Sequence, residues 1–278
     1  MQQATIRIPA TSANLGPGFD CLGVALDLHN HVTLTRGGTP APDTMIREAA
    51  NAYFQRSGRA HFDFTWSITG DIPRSRGLGS SVAVRLGILH GLNELEDRPL
   101  DADTLYHLCA ELEGHPDNAA PAAFGGFTAA RPDGTCFRGE IGEELRFVLL
   151  VPDTEIETDA SRGVLPDEIK RQDAVFSVAH AALITAAFAS RQYNLLKDSM
   201  HDWLHEPFRE KSNPHLVPAV AAGVAAGALG GYLSGSGSAV CCVTLDAPDR
   251  VAAAMQNVLP SASTLVLAPD NVGVIIEA

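Results

Sequence analysis

The chain has 278 residues, 45% of them hydrophobic and 19% charged, enough for one large domain or two joined ones with a sizeable core, and too apolar for a disordered chain. Its formal net charge of −13, with no basic run, makes nucleic acid a poor candidate partner. Any anionic ligand must be met locally, by backbone N–H groups, a metal and a few placed arginines.

No apolar run is expected to reach the roughly 20 residues of a membrane helix, and the N-terminus lacks the pattern of a secretory signal. The five cysteines, with no C-x-x-C pair, read as free buried thiols. A cytoplasmic, soluble protein with no membrane partner is expected.

In chain order, Ile6 and Ile8 alternate with Arg7, and Val32 and Leu34 alternate with threonines. That period of two predicts strands on either side of a Gly/Pro-rich turn at 12–18. A helix is predicted over 43–57, with Asp43 or Thr44 as N-cap, then a strand over 61–68. A Gly/Ser turn at 71–79 leads into a helix over 80–96, followed by a helix over 101–113 capped by Asp101 or Asp103. Residues 114–126 read as a loop closing into a short helix, and strands follow near 127–130 and 145–151. Helices are predicted over 173–190, 193–204, 216–227 and 247–258, and strands near 228–234, 239–245, 264–268 and 272–276. The order predicts an α+β fold with a division near residue 145, giving parts 1–145 and 146–278.

Four segments carry chemistry. In GDIPRSRGLGSSVAVRLGILHGLNEL (70–95) a Gly/Ser turn runs straight into a long helix, which exposes backbone N–H groups at the positive end of the helix dipole. Gly77 and Gly79 let the backbone approach an oxygen, Ser80 and Ser81 offer hydroxyls, and Arg74 and Arg76 offer charge. Neither a Walker A loop nor a dinucleotide fingerprint is present, and alone the segment also fits a simple helix-capping turn.

PATSANLGPGFDCLGVALD (9–27) sets Ser12, Asn14 and Asp20 among small residues, suiting an ammonium-bearing or hydroxylated ligand or an Asx turn. In CAELEGHPDNAAPAAFGG (109–126), Glu111 and Glu113 end a helix, and His115, Asp117 and Asn118 follow. Beside a phosphate site these residues can hold magnesium and position a hydroxyl. GALGGYLSGSGSAVCCVT (227–244) is a glycine-dense strand–loop–strand. Arg162 and Arg209 stand in TDASRGVLP (158–166) and LHEPFREK (204–211); each reads by default as a surface charge and is also suited to gripping a carboxylate.

Taken together, PATSANLGPGFDCLG, PRSRGLGSS, EGHPDNAAPAAFGG and LSGSG resemble, in order, the motifs of the GHMP kinases. TDASRGVLP and LHEPFR resemble segments of their homoserine kinase branch, so the resemblance spans nearly the whole chain. It implies an N-terminal part like ribosomal protein S5 domain 2 and a ferredoxin-like C-terminal part, with the active site between them. It implies ATP and Mg2+, with L-homoserine as acceptor in threonine biosynthesis, and suggests a homodimer.

Carried over by position, Arg74, Ser75, Arg76, Gly77, Leu78, Gly79, Ser80 and Ser81 would form the nucleotide loop, and Ser81 and Glu111 would hold the metal. Asn14, Asp20, His115, Asp117, Asn118, Thr158, Arg162, Arg209 and Gly235 would form the acceptor pocket, with Asp20 facing the ammonium and the two arginines the carboxylate. Asp20, Glu111, Asn118 and Arg162 would be the catalytic set. No lysine stands where an Asp–Lys base would need it; the chain has only Lys170, Lys197 and Lys211.

The third motif departs from the family's usual form at Ser236, Ser238 and Ala239, and the loss of its Pro and Thr is expected to loosen that loop. The rival readings are a kinase for another small hydroxy amino acid and a non-catalytic ligand-binding homologue.

Overall fold

The computed structural model describes residues 2–39 and 43–277. The predicted alternation is realised in strands β1 (Gln3–Ala13) and β2 (Leu22–Arg36), with Ile6, Ile8, Val32 and Leu34 fully buried. β2 is long enough to take three partners. It pairs with β1 on one edge, and on the other with β3 (Phe64–Gly70) toward its end and β4 (Phe127–Ala130) at its start. With β5 (Cys136–Gly139) beyond β4, and the chain's last strand against β1, this makes a six-stranded antiparallel sheet.

Helices α1 (Thr44–Ser57), α2 (Ser80–Leu95), α3 (Ala102–Glu113) and α4 (Ala119–Phe124) accompany it. Asp43 and Asp101 cap α1 and α3, accepting from the Ile46 and Thr104 backbone N–H groups, so both caps fall on predicted candidates. The apolar residues of α2, among them Leu86, Leu89 and Leu92, are fully buried in the core shared with β1 and β2. Each contributes about 1.5–3 kcal/mol on leaving water.

The second sheet is built from β6 (Arg146–Val151), β7 (Gly230–Leu233), β8 (Val240–Thr244) and β9 (Ser263–Leu267), in the order β7-β8-β6-β9. Between β6 and β7 lie α5 (Thr158–Arg162), α6 (Arg171–Ser190), α7 (Glu206–Arg209) and α8 (Leu216–Ala225), and α9 (Pro248–Val258) joins β8 to β9. In sequence order that sheet reads 2-3-1-4, the ferredoxin-like arrangement that the resemblance implies. The change of sheet falls between Gly139 and Arg146. The last strand, β10 (Ile275–Glu277), nevertheless returns to the first sheet, pairing Thr5 with Glu277, so the chain does not divide in two at a single point.

Two local expectations are corrected. The helix expected over 193–204 is absent: one 3-10 turn covers Tyr193–Leu196, and Asp198 at φ 58° breaks any continuation. Tyr193, Leu196 and Met200 are buried, and their spacing imitates a helical stripe. α6, moreover, is by length and composition apolar enough to cross a membrane, against the expectation of no such run. Its Ile184, Ala187 and Phe188 are buried in the protein core, with Phe188 stacked on Phe127 at 4.4 Å.

Candidate functional site

The first-turn N–H groups of α2 have no side-chain cap, because the N-cap position is Gly79 in the left-handed conformation. Gly77 and Gly79 both have positive φ, 74° and 69°. A Cβ at Gly77 would lie 2.0 Å from the Ser234 carbonyl oxygen, and one at Gly79 2.0 Å from the Thr11 hydroxyl. The glycines therefore let the turn nest against the first and third motifs while its donors face a cavity of about 330 Å³.

That cavity gathers most of the predicted residues. Arg74, Ser75, Gly77, Leu78, Gly79, Ser80 and Ser81 line one side; Asn14, Asp20, His115, Asp117, Asn118, Thr158, Arg162, Arg209 and Gly235 line the other. Two predicted residues are elsewhere. Arg76 donates to the carbonyls of Pro152 and Asp153 and faces Glu155 at 3.4 Å, so its side chain ties the turn to the second sheet.

Glu111, expected beside Ser81, is exposed and pairs with Arg56 at 3.5 Å. The carboxylate beside Ser81 is Glu113, which accepts from the Ser81 hydroxyl at 3.0 Å and is held from behind by Arg85. Residues 111 and 113 are two apart on α3, about 200° around the helix, so only one can face α2.

At the acceptor end, Arg162 grips both oxygens of Asp20, Nη1 to Oδ2 at 3.0 Å and Nη2 to Oδ1 at 2.5 Å. That hydrogen bond holds the Arg162 guanidinium above its ordinary pKa. His115 Nδ1 lies 2.5 Å from Asp117 Oδ1. Burial pulls the imidazole's pKa down, but the hydrogen bond and charge of Asp117 outweigh it, and the net shift is upward. Asp20, His115 and Asp117 bring their ligating atoms within 4.8 Å of one another. Asn118 Oδ1 accepts from the Thr11 hydroxyl at 2.7 Å, which fixes its amide across the cavity.

Arg209 is almost fully buried, and donates to the carbonyls of Ser161 and Gly235 and to His205 Nδ1. Burial and the neighbouring Arg162 lower its pKa to about 10. Gly235 takes part through its carbonyl, which also accepts from Asn14 Nδ2 at 3.0 Å.

The third-motif loop is anchored. The Ser238 hydroxyl donates to the Thr154 carbonyl at 2.6 Å, the Ser161 hydroxyl to the Ser236 carbonyl at 3.0 Å, and the Ala239 N–H to the Arg76 carbonyl at 3.2 Å. The expected loosening is therefore offset by a serine hydroxyl that the usual residue would not supply.

Sequence reasoning missed Asp43, Met45, Trp66 and Val84, which also line the cavity, and Phe19, which lies under the arginine pair. The strand alternation of 61–68 placed a strand there, but not which of its faces met the turn.

A cavity joining uncapped helix N–H groups, a Ser–Glu pair and a paired cation–anion pocket suits a triphosphate, a hard cation and a zwitterion. The family model for the GHMP kinases N terminal domain matches residues 44–126, and that for GHMP kinases C terminal matches residues 184–261. The chain belongs to the GHMP kinase family.

Among its relatives in that family, it is 35% identical over 290 residues to the homoserine kinase of Aliarcobacter butzleri, covering 98% of this chain and 99% of that protein. It is 40% identical over 256 residues to the homoserine kinase of Deinococcus radiodurans, covering 86% and 83%. The crystal structure of homoserine kinase from Cytophaga hutchinsonii matches this GHMP kinase with a TM-score of 0.91 at 24% identity, covering 100% of this chain and 98% of that one. At that identity the likeness concerns the fold.

Proposed function

We propose that this GHMP kinase is a homoserine kinase, transferring the γ-phosphoryl group of ATP to the side-chain hydroxyl of L-homoserine to give O-phospho-L-homoserine and ADP, a step of threonine biosynthesis. The observation that carries the proposal is the placing of Asp20, Arg162 and Arg209 in one cavity with the open start of α2. A zwitterion with a hydroxyl needs an anion, a cation and a hydrogen-bonding group at once; a sugar or mevalonate does not need all three.

In this reading the N–H groups of Ser80 and Ser81, with Arg74, bind the triphosphate, and Trp66, Met45 and Val84 form the wall for the base. The donor set of Ser81 hydroxyl and Glu113 carboxylate fits Mg2+, which prefers hard oxygens; when bound, Mg2+ neutralises charge on the transferring phosphate. Arg85 keeps the Glu113 carboxylate turned toward Ser81. Asp20 receives the ammonium, Arg209 and Arg162 the carboxylate, and Asn118 with the Asp117–His115 pair the reacting hydroxyl. Positioning and charge neutralisation supply most of the rate, and no lysine lines the cavity to act as base.

A second copy of the chain is the proposed partner. α6 carries no Asp, Glu, Lys or Arg between Asp173 and Arg191, yet Val175, Val178 and Leu183 are exposed on it. Two copies at −13 each meet there with the least repulsion.

ADP release with Mg-ATP and, separately, L-homoserine, L-threonine, L-serine, galactose and mevalonate tests the assignment. Preference for L-homoserine is the expected result, and preference for another acceptor overturns it.

A further inference from the structure

The short helix α7 places His205 and Arg209 one turn apart. Its start is fixed from behind by the buried Asp202 carboxylate, which accepts from the backbone N–H groups of Leu204, His205 and Glu206 at 2.7, 2.8 and 2.8 Å. His205 is fully buried and does not line the cavity, so it touches no substrate. Each of its two ring nitrogens has a hydrogen-bond partner. Nε2 lies 2.9 Å from the Gly16 carbonyl oxygen, and Nδ1 lies 3.1 Å from Arg209 Nη1.

Each contact fixes a proton. A carbonyl only accepts, so Nε2 carries the hydrogen; a guanidinium only donates, so Nδ1 carries the lone pair. One tautomer satisfies both, and the other mismatches both. Gly16 belongs to the loop bearing Asn14 and Asp20, and Phe19 of that loop stacks on the imidazole at 5.1 Å. The guanidinium carbons of Arg162 and Arg209 lie 5.4 and 5.3 Å from the same Phe19 ring.

We infer that His205 is a positioning residue for acceptor recognition: as the Nε2–H tautomer it holds the guanidinium of Arg209 and, through the Gly16 carbonyl, the loop that presents Asp20. The inference rests on the reading of Arg209 as the grip on the acceptor's carboxylate. The charged groups facing the ring are Asp202, with Oδ2 3.5 Å from Nε2, Arg209, and Asp20 farther off. Burial, with Arg209 opposing Asp202, lowers the imidazole's pKa to about 4, so the neutral form persists through the neutral pH range.

The test is steady-state kinetics on the full chain with Mg-ATP. His205→Leu is expected to raise the KM for L-homoserine about ten- to a hundredfold, the scale of a lost hydrogen bond to a charged group. The KM for ATP should stay within about twofold, since α7 does not reach the nucleotide loop. His205→Gln, whose amide can offer an oxygen to Arg209 and an N–H to Gly16, is expected to recover most of the loss. An unchanged acceptor KM in the leucine variant, an equal rise in both KM values, or a glutamine variant no better than leucine overturns the role.

Where the leucine variant does not fold, the 15N shifts of His205 in the wild-type protein decide. An Nε2–H tautomer whose Nδ1 signal moves with L-homoserine but not with a non-hydrolysable ATP analogue supports the role; an Nδ1–H tautomer, or no response to homoserine, overturns it. If wild-type protein turned over a different hydroxy amino acid, the same KM comparison would be made on that acceptor. A wrong acceptor and a wrong role for His205 thus give different results.

Discussion

The hydroxyl of Ser81, in the first turn of α2, donates to the carboxylate of Glu113 at the end of α3, 3.0 Å away. Glu111, two residues earlier, faces the opposite side and meets Arg56 in solvent. On the proposed metal-holding role, Glu113→Gln is expected to lower kcat about a hundredfold or more, the scale of losing one charge-stabilising group. Glu111→Gln should leave kcat within about twofold. Reversed effects in a Mg2+-titrated assay would return the metal to Glu111.

Asp20 and Arg162 hold each other bidentately, each about one-third exposed on the cavity wall. In the proposed reading, the acceptor's ammonium and carboxylate exchange for this internal pair. Asp20→Asn is expected to raise the KM for L-homoserine about tenfold or more while the KM for ATP changes little. A rise confined to ATP would place the acceptor elsewhere.

The chain has two tryptophans, and only Trp66 lies on the cavity, its buried indole N–H without a partner among the described residues. Trp203 is half-exposed, near α6 and α8. ATP is expected to change the emission of the Trp203→Phe variant and to leave that of Trp66→Leu unaltered. The latter should also raise the KM for ATP about five- to a hundredfold, the range of one base–aromatic stack. An ATP response that survives in Trp66→Leu would move the base off this wall.

The fold was legible where local chemistry decided it, and the site only in outline. Asp43 and Asp101 announce helix starts, because a side-chain oxygen there meets otherwise orphaned N–H groups, and the Gly77–Ser81 turn announces an anion site. What stayed hidden depended on facing and partner. Glu111 and Glu113 look alike in the sequence, and only the rotation of α3 against α2 chooses between them. Tyr193, Leu196 and Met200 repeat at helical spacing, yet the chain turns at Asp198, so the stripe is real and the helix is not. β10 reads as a strand, but periodicity does not reveal that its partner is β1, some 270 residues earlier.

The exposed face of α6 sets up a direct test of association. Val178, 68% exposed, makes Val178→Glu a change that adds charge where the proposed partner sits, without disturbing the buried side of the helix. Light scattering coupled to size exclusion is expected to show a dimer for the wild type and a monomer for the variant. A wild-type monomer at tens of micromolar would remove the second copy from the proposal.

Stability should peak near pH 6.5, for reasons that lie chiefly in three buried groups. Burial lowers His90 and His205 from the ordinary value of 6.5 to about 4. Between those values the unfolded chain binds protons that the folded one refuses, so stability rises with pH, by about 3 kcal/mol per histidine across the window. Burial pushes Glu206 the other way, from 4.5 to about 8, while it accepts from the Leu233 N–H at 2.7 Å. The folded chain keeps that proton where the unfolded one has lost it, so its contribution falls as pH rises from about 4.5 to 8. Two histidines outweigh one glutamate below pH 6.5; above it the glutamate acts together with His115, whose raised pKa also makes stability fall as pH rises. Urea midpoints at pH 5, 6.5 and 8 are expected to rise and then fall, and Glu206→Gln should steepen the rise and reduce the fall. A midpoint that kept climbing to pH 8 in the wild type would mean that Glu206 is ionised in the folded protein, and that the N–H of Leu233 faces a charge where a neutral acid is expected.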